Sequence, residues 1–458
     1  MRSRALCGCA LAATVAAAGC GGSTAPAVPV VVQPQHVAPK KAATIQHIIV
    51  MVQENRTFND LFATFPGTDG TTTGLEKIGS QTQQIALKKV PLEATSILRH
   101  TYGGYLTAYD GGRMDAFNLI IAQSSGKKEG SAPYQYVDPS DLGPYWDIAD
   151  NYAIADHTFQ TQGSGSYTAH QDLIRGGTEI DASDSIIDDP TKMPWGCPSK
   201  SGAVTSLITT GLKYEENAGP FPCTTDFPSS GSNYRTLQNL LDAKSVSWKY
   251  YTPAWQGNTG GLWNAFLTID SVYGNQSEWN AHISQPETNV FSDISGGTLP
   301  SVSWVIPDGV NSDHPGYSSD TGPSWVASVV DAVGESAYWN STAVVIVWDD
   351  WGGFYDNVSP PKLDQQGGPG FRVPMLVVAP YVKRKEITHK VYEFGSIVRF
   401  IEDTWHLGRL GTTDTTANSI APIFDFKMSP RTFTKIPSSY SRAFFLHQKP
   451  SGLPVDTE

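Results

Sequence analysis

The sequence predicts an α/β protein: a doubly wound, mostly parallel sheet with helices on both faces and long loop insertions. Three observations predict it. Five short apolar runs are spread along the chain, each is nearly continuous rather than alternating, and helix-like segments lie between them. A continuous apolar run suits a strand covered on both faces, as in a parallel sheet. Strands that alternate with helices argue for one sheet wound from both sides.

The strands, in order, are "HIIVMV" at 47–52, "SVSWKYY" at 245–251, "SVSWVIP" at 301–307, "TAVVIVWDD" at 342–350 and "VPMLVVAP" at 373–380. Helices are expected at 233–244, where Leu237, Leu240 and Leu241 share helical spacing, and at 324–336, after a Pro-Ser start. A third is expected at 392–407, with Ile397, Val398, Phe400 and Ile401 on one stripe. Glycine-, serine- and proline-rich stretches near 67–80 and 180–235 read as loop insertions over the sheet. No repeat or composition shift divides the body, so residues 44–458 read as one domain.

The first residues read as an address. Arg2 and Arg4 precede the apolar "ALCGCALAATVAAA", and "AAGC" ends it at Cys20. Residues 1–20 resemble a lipoprotein-type signal, with a plain secretory signal as the alternative. Residues 21–43, rich in Pro, Ala and Val, read as a flexible tether. The chain is therefore expected to be exported, either anchored to a bacterial membrane through lipidated Cys20 or periplasmic or secreted. Only Cys197 and Cys223 remain in the body, in loop-like sequence, so a disulfide is expected outside the reducing cytoplasm. Two free buried thiols are the alternative.

Of the 458 residues, 40% are hydrophobic and 17% charged, and the formal net charge is −12. That balance disfavours nucleic acid as a partner, because a phosphate backbone is repelled without a local basic patch.

The polar residues at strand ends carry the chemistry. The first strand ends in Glu54 and Asn55, and the fourth in Asp349 and Asp350. In open α/β sheets, ligands sit outside the carboxyl ends of the strands. Vicinal carboxylates beside an apolar core repel, and one goes neutral unless a cation holds both. Three carboxylates and an amide oxygen make a hard site for one divalent ion, suited to Mg²⁺, Ca²⁺ or Mn²⁺ and less obviously to Zn²⁺. Each of these residues taken singly also reads as a cap or a surface turn.

A third cluster is "DHTFQTQGSGSYTAHQDLIRGGTE" at 156–179. Gly163 and Gly165 suggest a tight turn, and Ser166 stands where it meets a helix N-terminus, a place that favours phosphate. Ser166 there reads either as a helix N-cap or as a nucleophile activated by a metal. His100, His314 and His170 lie in polar sequence, where an imidazole protonates a leaving group or simply faces water.

These segments look familiar together. "IVMVQENRTFNDLF", "YDGGRMDAF", "FQTQGSGSYTAHQ", "SWVIPDGVNSDHPG", "VVIVWDDWGGFYDNVSPP" and "GFRVPMLVVAPYV…THKVYEFGSIVRFIED" resemble, in order, blocks of the bacterial phosphoesterase family. That family holds phospholipases C and an acid phosphatase and belongs to the alkaline-phosphatase-like superfamily. The resemblance implies a phosphoric ester hydrolase. It implies Glu54, Asn55, Ser166, Asp349 and Asp350 as metal ligands, Ser166 as nucleophile, and His100 and His314 at the phosphoryl group. Arg56 is expected to brace the loop rather than touch substrate.

The chain departs from the family pattern at Thr168, where many relatives have proline, and at Ala169, where one branch has asparagine. His170 is expected to fill the space beside Ala169 as a further catalytic residue. Asn357 stands where some relatives carry histidine. The expected substrate is a phosphate ester, phospholipids included. The competing readings are an exported non-catalytic binding or surface lipoprotein on the same fold, and a phosphomonoesterase without lipid activity.

Overall fold

The structure is a computed structural model that describes residues 44–227, 234–255, 263–364 and 366–453. The signal, Cys20 and the tether lie outside the described residues.

Among the described residues the central sheet has eight strands: β1 (His47–Gln53), β2 (Ala153–Ala155), β3 (Trp248–Tyr251), β4 (Ile283–Ser284), β5 (Val302–Val305), β6 (Thr342–Trp348), β7 (Met375–Val378) and β8 (Glu386–Thr388). Their order across the sheet is β4-β3-β5-β1-β6-β7-β2-β8. The apolar runs of β1 and β6 are the longest and take the middle, where both faces are covered. All neighbours run parallel except β7, which is antiparallel to both β6 and β2. The reason is the connection. Segment 349–374 contains no helix among its described residues, so the chain leaves β6 at the sheet's carboxyl edge and turns straight back.

Helices cover both faces. In β6, Trp348 is level with Gln53 of β1, and in β5, Trp304 is level with Val50. Residues 50 and 53 point to opposite faces of the pleat, and so do the two tryptophans. Trp348 meets the ring of Tyr145 on α3 (Gly143–Asn151), at 4.9 Å between centroids. Trp304 donates its indole N–H to the Leu173 carbonyl of α4 (Ser166–Arg175), at 3.2 Å. On the first face α7 (Gly322–Gly334) packs on α3, with α6 (Asn289–Gly296) against it. On the second, α8 (Phe394–Trp405) packs on α4, with α5 (Leu237–Ala243) beside it.

All five expected strands and all three expected helices are present; β1 runs one residue further than expected, α7 lies two residues earlier, and the others are shorter by a few residues at one end or both. The short strand β2 and the edge strands β4 and β8 carry no apolar run long enough to announce them. The stretches read as plain loops are partly ordered. One holds a hairpin of Thr73–Ile78 with Gln81–Ala86, the other a small sheet of Ser185–Ile187, Ser206–Thr209 and Lys213–Glu215. Cys197 and Cys223 form the expected disulfide within the second insertion.

Candidate active site

Register positions the site. Because Gln53 and Trp348 are partners at the ends of β1 and β6, the next residues of both strands emerge together at the carboxyl edge. The Asp349 amide donates to the Gln53 carbonyl at 2.9 Å, and the Glu54 amide to the Ser312 carbonyl at 2.8 Å. Asn55 then takes a left-handed turn, φ 59°. Its amide donates to Asp349 Oδ1 at 2.9 Å and its side-chain Nδ2 faces Asp350 Oδ2 at 3.4 Å. Asp350 Oδ1 accepts from the Gly352 amide at 2.7 Å. Gly352 has φ 58°, and a Cβ there would run into the Asn55 carbonyl, so the two turns interlock only around a glycine.

Ser166 opens α4. Its hydroxyl donates to Asp350 Oδ2 at 3.0 Å and lies 3.4 Å from Glu54 Oε2. Gly165 before it is extended rather than turned. Gly163 is required for a different reason from the expected tight turn: a Cβ would enter the ring of Tyr105.

His170 follows one helical turn later on the same face. Its Nε2 lies 2.9 Å from Glu54 Oε1 and 3.8 Å from Asp349 Oδ2. Burial lowers its pKa to about 4, with Asp349 opposing, so the ring is neutral at ordinary pH. His100 Nδ1 faces the Leu98 carbonyl at 2.7 Å and therefore carries that nitrogen's proton. Its Nε2 then accepts from Asn55 Nδ2 at 3.0 Å, 3.7 Å from Asp350 Oδ2.

Seven of the expected residues thus stand within hydrogen-bonding reach of one another: Glu54, Asn55, His100, Ser166, His170, Asp349 and Asp350. His314 is linked to them through a ring cluster, 4.3 Å from Tyr317 and 5.6 Å from Trp263 between centroids. Trp263 lines a small cavity that also takes in Ser166, His170, Trp195 and Asn264. Trp195 Nε1, Trp263 Nε1 and Asn264 Nδ2 are buried donors with no acceptor among the described residues. Sequence reasoning missed these three. Trp195 lies in the second insertion and Trp263 and Asn264 between β3 and β4, in stretches with no motif, and only the folded chain brings them to Ser166.

Arg56 braces the loop, as expected. Its guanidinium is fully buried and meets Asp60, Thr95 and the Asp313 carbonyl. Asp313 itself, missed from sequence, is buried with φ 70° and accepts from Tyr145 and Trp348 at 2.7 and 3.1 Å. Burial pushes its carboxyl up to about 6.

The residues fit a cation. Glu54, Asp349 and Asp350 are all at 0% exposure. Asp349 Oδ2 accepts no hydrogen bond among the described residues. Glu54, His170 and Asp349 each present a ligand atom, all within 4.8 Å of one another. Three buried carboxylates in mutual reach are costly unless positive charge is supplied. Fold and site together place a serine hydroxyl beside a buried acidic cluster able to hold a cation, at the carboxyl edge of a mostly parallel sheet.

Residues 45–408 match the Phosphoesterase family model, and the chain belongs to that family. It is 24% identical over 456 residues to Phospholipase C B of Mycobacterium tuberculosis, covering 84% of this chain and 80% of that protein. It is 24% identical over 427 residues to Non-hemolytic phospholipase C of Burkholderia pseudomallei, covering 78% of this chain and 55% of that one. Among solved structures, a protein in the alkaline phosphatase superfamily from Vibrio parahaemolyticus overlays 82% of this chain and 71% of its own, with TM-score 0.35 and 10% identity.

Proposed function

We propose that the chain hydrolyses phosphoric esters of the phospholipase C type through Ser166, with one divalent ion held by Glu54, Asn55, Ser166, Asp349 and Asp350. The observation that carries this reading is the placement of the Ser166 hydroxyl. It lies 3.0 Å from Asp350 and 3.4 Å from Glu54 at the start of a buried helix. The names of the relatives support a phosphodiester of a lipid as substrate.

The bound ion supplies charge neutralisation for the phosphoryl oxygens and favours the alkoxide form of the serine. Asp350 Oδ2 is placed to receive the Ser166 proton. Ser166 Oγ attacks phosphorus in line, the bond to the leaving oxygen breaks, and a phosphoseryl enzyme forms. His314 or His100, protonated on Nε2, gives that proton to the leaving oxygen and recovers it from the water that attacks next. Water then releases the phosphate product and restores the hydroxyl. Amides at the start of α4 favour the transferred phosphoryl group. Neutral His170 joins Glu54 and Asp349 and holds them in place.

Export is the second part of the proposal, by way of residues 1–20 with Cys20 as the lipid-bearing residue. The Cys197–Cys223 disulfide supports a non-reducing compartment. Among the described residues no helix is long and apolar enough to cross a membrane.

The test is Ser166→Ala on purified enzyme against p-nitrophenyl phosphate, p-nitrophenyl phosphorylcholine and phospholipid vesicles, each with and without a chelator. Ser166→Ala is expected to lose several orders of magnitude with every substrate the wild type cleaves, and the chelator to abolish turnover reversibly. A variant that turns over near the wild-type rate ends the covalent scheme.

A further inference from the structure

A second group of ligand-type side chains lies at the same edge of the sheet but on other strands. Asp156 and His157 follow β2, His389 follows β8, and Asp69 lies in the turn after α1 (Phe58–Phe62). Strand β7 separates β2 from β6, so this group is distinct from the cluster around Ser166.

The contacts are specific. His389 Nδ1 lies 2.9 and 3.0 Å from the two oxygens of Asp156. His157 Nε2 lies 2.8 Å from Asp69 Oδ2. Asp69, Asp156 and His389 each place a ligand atom within 4.8 Å of the other two. The rings of His157 and His389 are 6.0 Å apart between centroids. Asp156 is completely buried, whereas His389 and Asp69 are about half exposed and His157 is one-fifth exposed.

The backbone holds these donors in place. The Asp156 amide donates to the Thr388 carbonyl at 3.2 Å, and the Tyr392 amide to the His157 carbonyl at 3.0 Å. The buried Arg372 reaches the backbone carbonyls of Asp156 and Asp69 at 2.9 and 3.2 Å. Its charge is spent on Asp356, at 2.8 and 3.2 Å, and does not reach the Asp156 carboxylate. Among the described residues, the buried Asp156 carboxylate thus has an imidazole and the Asp69 amide, at 3.0 Å, as its partners. A buried carboxylate in that position calls for further positive charge.

We propose that Asp69, Asp156 and His389, with His157 as the fourth donor, bind a zinc-type divalent ion. Two imidazoles and two carboxylates are a mixed nitrogen–oxygen set suited to zinc rather than magnesium or calcium. Tetrahedral bonds of about 2.0–2.2 Å place ligand atoms roughly 3.3–3.5 Å apart. The ion would tie the turn after α1 to the ends of β2 and β8. β8 is an edge strand of the central sheet and, among the described residues, pairs with β2 alone, so this clamp fastens a strand held by a single neighbour. The inference stands apart from the proposed hydrolysis, since none of the four residues is in that site.

The test is zinc binding to the folded chain after chelation and gel filtration, read as bound zinc per chain and as thermal stability. Four proteins are compared: wild type, H157A/H389A, D349A/D350A, and the chain carrying all four changes. D349A/D350A is expected to retain one zinc per chain and to melt higher with zinc, and the fourfold variant to lose both effects. H157A/H389A is expected to hold one ion fewer than wild type while keeping its hydrolytic activity. Should D349A/D350A not fold, anomalous scattering from zinc-soaked wild-type crystals decides, with a peak expected between His157 and His389. Equal zinc in wild type and H157A/H389A, or no peak there, overturns the proposal and leaves two simple histidine–carboxylate pairs.

Discussion

Arg56 grips the backbone carbonyl of Asp313 with two guanidinium nitrogens, at 2.9 and 2.6 Å. That grip joins the loop after β1, which carries Glu54 and Asn55, to the loop that carries His314. Asp60 takes a third nitrogen at 3.0 Å, fully out of water. Arg56→Met leaves Asp60 buried and unpaired. A loss of about 3–5 kcal/mol in urea unfolding is expected, the cost of breaking a buried pair from one side. A loss below about 1 kcal/mol, the range of an exposed pair, would show that the pair does not hold the loops.

His170→Ala is expected to reduce turnover far more than stability. The ring touches Glu54 at 2.9 Å and orients it. Loss of such an orienting partner typically costs about 10–100-fold in metal affinity or activity. Activity measured across a metal titration checks this, with part of the loss recovered at high metal. An unchanged rate removes His170 from the site.

Gly352→Ala sets a methyl group against the Asn55 carbonyl in a left-handed turn. Asn55 and Asp350 must shift apart. A displacement of that kind costs roughly 10²-fold in rate, and kcat is expected to fall while the fold persists by circular dichroism.

Stability should fall with rising pH through Glu402. Its carboxyl is fully buried on α8, and burial, with Asp414 beside it, pushes the pKa up to about 8. The folded state therefore holds a proton that the unfolded chain releases near the ordinary value of 4.5. This contribution is fully present below that value and is lost as pH climbs to about 8. In Glu402→Gln the melting temperature is expected to vary less across that window. Parallel wild-type and variant curves would count against it.

Cys197→Ser should destabilise the second insertion. The closed loop spans 26 positions, for which chain-entropy arguments give about 3 kcal/mol. Thermal unfolding with and without reductant measures it, and only the wild type should respond to reductant.

Most of the fold was legible in the sequence because the central strands are continuous apolar runs, such as Ile48–Val52, that nothing but a covered sheet explains. Glu54, Asn55, Asp349 and Asp350 were legible for the same reason: polar groups placed at the ends of such runs have few bland uses. The edge strands were not, since Ile283–Ser284 is too short to show any period. Trp195, Trp263 and Asn264 were hidden because cavity walls are set by where insertions fold back. Asp313 was overlooked beside the more conspicuous His314, yet its left-handed backbone and four-residue network mark it as the better anchored of the two.

The hydrogen bond from Asn55 to Asp349 joins positions 294 apart in the chain. A contact of that range forms only once the chain has been made past Asp349, about three-quarters of the way along. Until then a chain on the ribosome holds Ser166 without its carboxylate partner Asp350, so the proposed centre is still incomplete. The two halves of the proposed centre are thus joined late, by the strand pairing of β1 with β6.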